Sequence, residues 1–271
     1  MITFKLNDLK IDALRSPEVL TQCFSFIDLT SLNATDSYEK ISGMMEKVNE
    51  FQQQFPQLPN VGAVCVYPNF VPITRHILRA PEVKIAAVGA GFPSSQTFIE
   101  VKCDECKRTV DAGADEIDIV ISLGTFLAQG YEKVQDEIMQ IKKAIGKAHL
   151  KVILETGALN AEQIAIASKI SIEAGADFIK TSTGKMEPAA TPEAAWIMCH
   201  AIKAHYDKTG EKVGFKPAGG MITSDDALIY YAIVKTVLGD AWLTPKLFRL
   251  GASRLANNLL TDITGKTVNF F

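Results

Sequence analysis

The chain has 271 residues, of which 47% are apolar and 22% charged, and its formal net charge is −3. This is ordinary globular composition, which excludes a collagenous or disordered chain, and the mild negative balance offers no basic footprint for nucleic acid or an anionic membrane. Five scattered cysteines (Cys23, Cys65, Cys103, Cys106 and Cys199) make no disulfide scaffold, so reduced thiols in a cytoplasm and small-molecule work are the expectation.

Residues 1–23 read as a polar helical lead-in, broken at Ser16-Pro17. Lys5, Asp8, Lys10 and Asp12 interrupt any signal-peptide core, and no later stretch is long and charge-free enough to cross a bilayer. From there apolar runs fit strands at 25–30, 61–67, 84–90, 116–122, 151–156, 177–182, 213–218 and 248–252. Segments with helical spacing lie between them, among them 99–112, 134–148, 161–174 and 192–205, and 254–261 closes the series. The segment 67–72, which follows the second strand, reads either as a cap on the barrel mouth or, from its prolines alone, as a rigid loop.

Strands alternating with helices predict a parallel sheet covered on both faces, and eight such units close most simply as a (β/α)8 TIM barrel. An open doubly wound sheet is the rival, but no Gly-x-Gly-x-x-Gly turn follows an early strand. With no linker or composition break, residues 1–271 read as one barrel domain, with 1–23 as its extension.

Two segments echo each other. Ala-Gly-Ala-Asp at 112–115 leads to Asp118, and the same four residues at 174–177 lead to Lys180, 62 positions later. These are the fourth and sixth strands, and alternate barrel strands share an interior layer, so Asp118 and Lys180 should point inward at similar height. Lys216 lies on the adjacent seventh strand. Burial and a neighbouring like charge both push a lysine toward the neutral amine, which is a nucleophile. An isolated inward lysine is as readily a structural ion-pair partner of Asp118 or Glu155; the whole constellation points to chemistry.

Small residues follow three of the strands, in Thr183-Gly184-Lys185, Gly219-Gly220 and Gly251-Ala252-Ser253. Backbone N–H groups at such turns, with a hydroxyl and a lysine, make an anion pocket, and barrels often hold phosphate on the loops after strands seven and eight. Cys103 and Cys106 form a Cys-x-x-Cys within an amphipathic helix, without a second pair or a nearby histidine, and read as ordinary thiols. His76, His149, His200 and His205 are scattered, so no metal site and no cofactor are expected.

With these residues assembled, the sequence resembles the class I deoxyribose-phosphate aldolases over nearly its whole length. The matching runs are 27–33, 64–68, 113–118, 151–157, 176–185 and 214–220, the last two being the most specific. The resemblance implies reversible cleavage of 2-deoxy-D-ribose 5-phosphate to D-glyceraldehyde 3-phosphate and acetaldehyde. It implies Lys180 as the Schiff-base lysine, Lys216 as the group that lowers its pKa, and Asp118 in proton transfer. It further implies that Asp28 and Thr30 touch the sugar, that Cys65 lines the pocket, and that Lys151 belongs to the charged network. Thr183, Gly184, Lys185, Gly219, Gly220, Gly251 and Ser253 would hold the phosphate. Two departures stand out. Ile222 occupies a position where many relatives carry arginine, and Arg254 one where many carry serine. Nor does the chain end in the tyrosine that assists proton transfer in some members; it ends in Phe270-Phe271. The alternatives are another Schiff-base lyase or transaldolase acting on sugar phosphates, and a non-catalytic sugar-phosphate-binding barrel. A homo-oligomer stays open, since interface patches cannot be read from sequence.

Overall fold

A computed structural model describes residues 6–271. The eight strands are β1 (Ile27–Thr30), β2 (Ala63–Val66), β3 (Lys84–Val88), β4 (Glu116–Val120), β5 (His149–Ile153), β6 (Phe178–Lys180), β7 (Gly214–Lys216) and β8 (Leu250–Ala252). The helices are α1 (Pro17–Ser25), α2 (Tyr38–Gln54), α3 (Val71–Ile77), α4 (Ile99–Asp111), α5 (Leu123–Leu127), α6 (Tyr131–Ile145), α7 (Ala161–Glu173), α8 (Pro192–Thr209), α9 (Ser224–Val237) and α10 (Leu255–Thr264).

Each strand pairs in parallel with its neighbours, in the order β7-β6-β5-β4-β3-β2-β1-β8. The remaining seam, between β7 and β8, closes through isolated bridges at Phe215–Phe248 and Ala218–Gly251. Pro217 explains the irregularity there: its carbonyl accepts from Gly251 N at 2.9 Å, but it has no N–H to continue a ladder. The result is the (β/α)8 barrel that the alternation predicts. Observed strands are shorter than the apolar runs: β2 to β7 give up C-terminal residues to the loops at one end of the barrel, and β1 and β8 begin two residues later than their runs.

Outward residues such as Ile117, Ile119, Val152, Ile179 and Phe215 are buried against the helical ring. The helices start where the sequence offers caps. Asn160 and Gln163 form a capping box on α7, Thr223 and Asp226 another on α9, and Thr191 caps α8 ahead of Pro192. Ser16 caps α1 in the same way, with Pro17 at the first helical position, and α1 packs on α9 and α10. The first five residues of the expected lead-in lie outside the described residues. The segment after β2 differs from the expected loop: Pro68–Phe70 is a 3-10 turn running into α3. Both prolines occupy first-turn positions, where a missing N–H costs nothing.

Candidate active site

Interior positions of the barrel carry charge where aliphatic side chains are usual. Asp28, Glu116, Asp118, Lys151, Lys180, Lys216 and Arg249 are all buried, none more than 4% exposed. Period-two alternation puts Glu116 and Asp118 on the same face of β4, and the register sets Asp118 beside Lys151 and Lys180 beside Lys216.

Asp118 is the hub. Its Oδ2 accepts from Lys180 Nζ and from Lys216 Nζ, both at 2.8 Å, and its Oδ1 accepts from Lys151 Nζ at 2.9 Å. Lys216 also reaches Asp28 Oδ2 at 2.5 Å, and Lys151 reaches Glu116 Oε2 at 2.5 Å. Arg249 binds Asp28 Oδ1 at 2.6 Å and Glu116 Oε1 at 2.8 Å, while its Nε donates to the Pro245 carbonyl.

The lysines respond differently to this shared burial. Burial pushes Lys180 below the ordinary lysine value; Asp118 opposes the shift, and Lys216 adds to it by like-charge repulsion. At Lys216 burial is outweighed by Asp118 and Asp28, and at Lys151 by Asp118 and Glu116, so both are held above that value. Asp118 is held well below the carboxylate range: burial disfavours its charge, but Lys151, Lys180 and Lys216 together overcome it. Lys180 is thus the amine that loses its proton most readily.

Lys180 also opens onto a cleft of about 670 Å3, whose walls include Thr30, Thr183, Gly184, Lys185, Gly219, Gly220, Gly251 and Ser253. Glu155 fixes the β6 loop, accepting from Thr183 N at 3.1 Å and from Thr183 Oγ1 at 2.5 Å. Lys185 Nζ donates to the Leu32 carbonyl, tying that loop to the one after β1. The β6 and β7 loops meet through glycines: a Cβ on Gly219, whose φ is +84°, would lie 3.2 Å from Gly184 Cα and 2.7 Å from Ala189 Cβ. Met221, Ile222, Arg254 and Phe271 complete the outer wall, and Asn257 Oδ1 accepts from Phe271 N at 3.0 Å.

Asp28 and Cys65, expected at the substrate, are not among the residues of the cleft wall, and Lys151, expected in the charged network, pairs with Asp118 and Glu116. Asp28 holds Lys216 on one carboxylate oxygen and Arg249 on the other. Lys151 is fully enclosed beneath Lys180. Cys65 packs with Leu32, Ala86 and Val88 and has no exposed surface, and burial pushes its thiol up. Conversely, sequence reasoning passed over Glu116 and Arg249. Glu116 was findable from its place two residues before Asp118, and Arg249 as a charge at the entry to the last apolar strand.

Gly251 earns its identity from packing: a Cβ there would lie 2.8 Å from Ala218 Cβ and 3.0 Å from Lys216 Cε. Gly251→Ala is therefore expected to displace Lys216 or the β7 loop, costing about 1–3 kcal/mol. Thermal melting should show the loss of stability and steady-state assays a lower kcat. A variant as stable and active as the parent would remove the packing argument.

The fold and the site together define an aldolase: a (β/α)8 barrel with a buried, pKa-depressed lysine on the wall of a cleft lined by small residues. The chain belongs to the DeoC/LacD family of aldolases, whose family model matches residues 24–241. A Caenorhabditis elegans relative is 44% identical over 253 residues, covering 92% of this chain and 83% of its own. Human deoxyribose-phosphate aldolase is 41% identical over 255 residues, covering 90% of this chain and 80% of its own. The crystal structure of a Toxoplasma gondii protein superposes with a TM-score of 0.81 at 21% identity, covering 95% of this chain and 97% of that one, and shares the fold.

Proposed function

We propose that this protein reversibly cleaves 2-deoxy-D-ribose 5-phosphate to D-glyceraldehyde 3-phosphate and acetaldehyde, with Lys180 forming the covalent intermediate. The observation that carries the reading is Lys180 itself: buried, depressed in pKa, 2.8 Å from Asp118, and on the wall of the cleft.

In this reading the neutral Lys180 amine attacks C1 of the open-chain sugar, and loss of water gives an iminium. A base removes the proton from the C3 hydroxyl, the C2–C3 bond breaks, and its electron pair passes into the iminium to form an enamine. C3 to C5 leave as D-glyceraldehyde 3-phosphate. Protonation at C2 and hydrolysis then release acetaldehyde and the free lysine. Asp118, already bonded to Lys180, is the group placed to relay protons, and Lys216 keeps the neighbouring field positive.

The phosphate falls to the glycine loops. Gly184, Gly219, Gly220 and Ser253 line the cleft, and α10 begins beside them with its first-turn N–H groups free of a side-chain cap. Lys185 and Arg254 supply cations to the same wall, while Met221 and Ile222 are apolar.

Incubation with acetaldehyde and borohydride, followed by peptide mapping, tests the assignment. One reduced adduct at Lys180 is expected, and Lys180→Ala should lose both the adduct and cleavage. An adduct that maps elsewhere, or survives in Lys180→Ala, would sink it. Equal turnover of the sugar without its phosphate would detach the glycine loops from the substrate.

A further inference from the structure

The seven buried charges are not a random cluster. Around the barrel interior, Lys151 bridges Asp118 and Glu116, Arg249 bridges Glu116 and Asp28, and Lys216 bridges Asp28 and Asp118. Three acids and three bases alternate in a closed ring, and each acid is flanked by two bases. All six carboxylate oxygens find a cation within the ring, and its formal charge is zero. Lys180 is the fourth base. It hangs from Asp118 Oδ2, an oxygen that Lys216 already occupies at the same 2.8 Å.

Charge balance then says which base gives up its proton. Neutralising Lys151 or Arg249 leaves a buried carboxylate oxygen without a cation, and neutralising Lys216 leaves Asp28 Oδ2 only Lys151, 3.8 Å away. Neutralising Lys180 instead leaves every oxygen its close cation and the layer uncharged. Arg249 is what closes the ring. Its guanidinium spans from the β8 entry to β1 and β4, is 3% exposed, and stays protonated at any working pH.

We propose that Arg249 is a positioning residue: by closing this ring it leaves Lys180 as the layer's surplus cation, and so as the one that reacts as a free amine. The inference rests on Lys180 being the nucleophile and adds a residue, remote from the substrate, that sets its state. The other groups facing Lys180 are consistent with this. Asp118 and Lys216 face it from β4 and β7, and the Cys65 thiol, pushed up by burial, stays neutral on β2. Glu155, beyond β5, is committed to Thr183.

The test is a pair of substitutions with opposite sign. Arg249→Met removes a positive charge, so the Lys180 proton is held more tightly. The acid limb of kcat/KM should move up by about one pH unit, with turnover near neutrality down about tenfold and recovering in alkali. Glu116→Gln removes a negative charge and should move the same limb down. The double variant restores neutrality and should return the limb toward the parent. The pH dependence of borohydride trapping at Lys180 should follow the same three shifts. Limbs that stay put, or that move the same way in both single variants, overturn the proposal. If Arg249→Met does not fold, the direction in Glu116→Gln alone decides. No adduct at Lys180 in the parent protein overturns the functional reading and this inference with it; an intact adduct with unmoved limbs overturns the inference alone.

Discussion

Lys216→Leu is expected to raise the acid limb of the pH–rate profile by about 1–3 pH units, and to lower cleavage near neutrality by at least about tenfold. Two effects act in the same direction. Loss of the Lys216 ammonium removes the like charge that helps push Lys180 down, and it leaves Lys180 sole use of Asp118 Oδ2. Both favour the protonated amine, and each unit gained is 1.36 kcal/mol, or ten times less free nucleophile below the pKa. Burial of Lys180 is unchanged and keeps the shift bounded. The defect is one of protonation, so activity should recover as pH rises. A uniform loss across the pH range, with the limb unmoved, would show that Lys216 does not act through the charge of Lys180.

The second large effect is on stability. Asp118→Asn takes away the one carboxylate that three buried lysines share, and breaking a buried ion pair from one side costs about 3–5 kcal/mol. Cleavage should fall with it, since the proposed proton relay goes too. The pH dependence has a definite sign. With Asp118 gone, Lys180 loses the contact that opposes its depression, and its folded pKa drops further below the unfolded one. A lysine depressed in the folded state makes the protein bind fewer protons than the unfolded chain. The destabilisation should therefore shrink as pH rises from the folded value toward the ordinary lysine value. Urea denaturation at mildly acidic, neutral and alkaline pH measures it. A variant as stable as the parent at every pH would contradict the shared hub.

Much of this was legible in the residues because barrel geometry repeats. The eight apolar runs locate the eight strands, with starts within two residues of those observed. Consecutive strands six and seven put Lys180 beside Lys216, and the Ala-Gly-Ala-Asp echo put Asp118 within reach of Lys180, where the register and the 2.8 Å contact place them. What the residues could not convey is reach across the interior. Arg249 contacts Asp28 and Glu116 from β1 and β4, and such partners depend on strand tilt and on rotamers that leave no periodic mark in a sequence. Asp28 and Cys65 illustrate the same limit from the other side. Their place in matching runs made them look like substrate contacts, whereas their depth commits one to Lys216 and Arg249 and the other to an apolar cluster. Depth along a strand three or four residues long is decided by where the sheet ends, and that is set by loop geometry.

The seam beside Pro217 gives the buried charges a mechanical meaning. The barrel's least regular joint lies between β7 and β8. Lys216, from one side of it, grips Asp28 on β1; Arg249, from the other side, grips Asp28 as well and Glu116 on β4. Side chains thus hoop the cylinder from within at the place where the backbone holds it least evenly. The groups proposed to set the state of Lys180 also keep the staves together. Selection for a different proton affinity at Lys180 would act on the hoop, so drift in these seven positions is constrained twice over, once by the reaction and once by the integrity of the barrel.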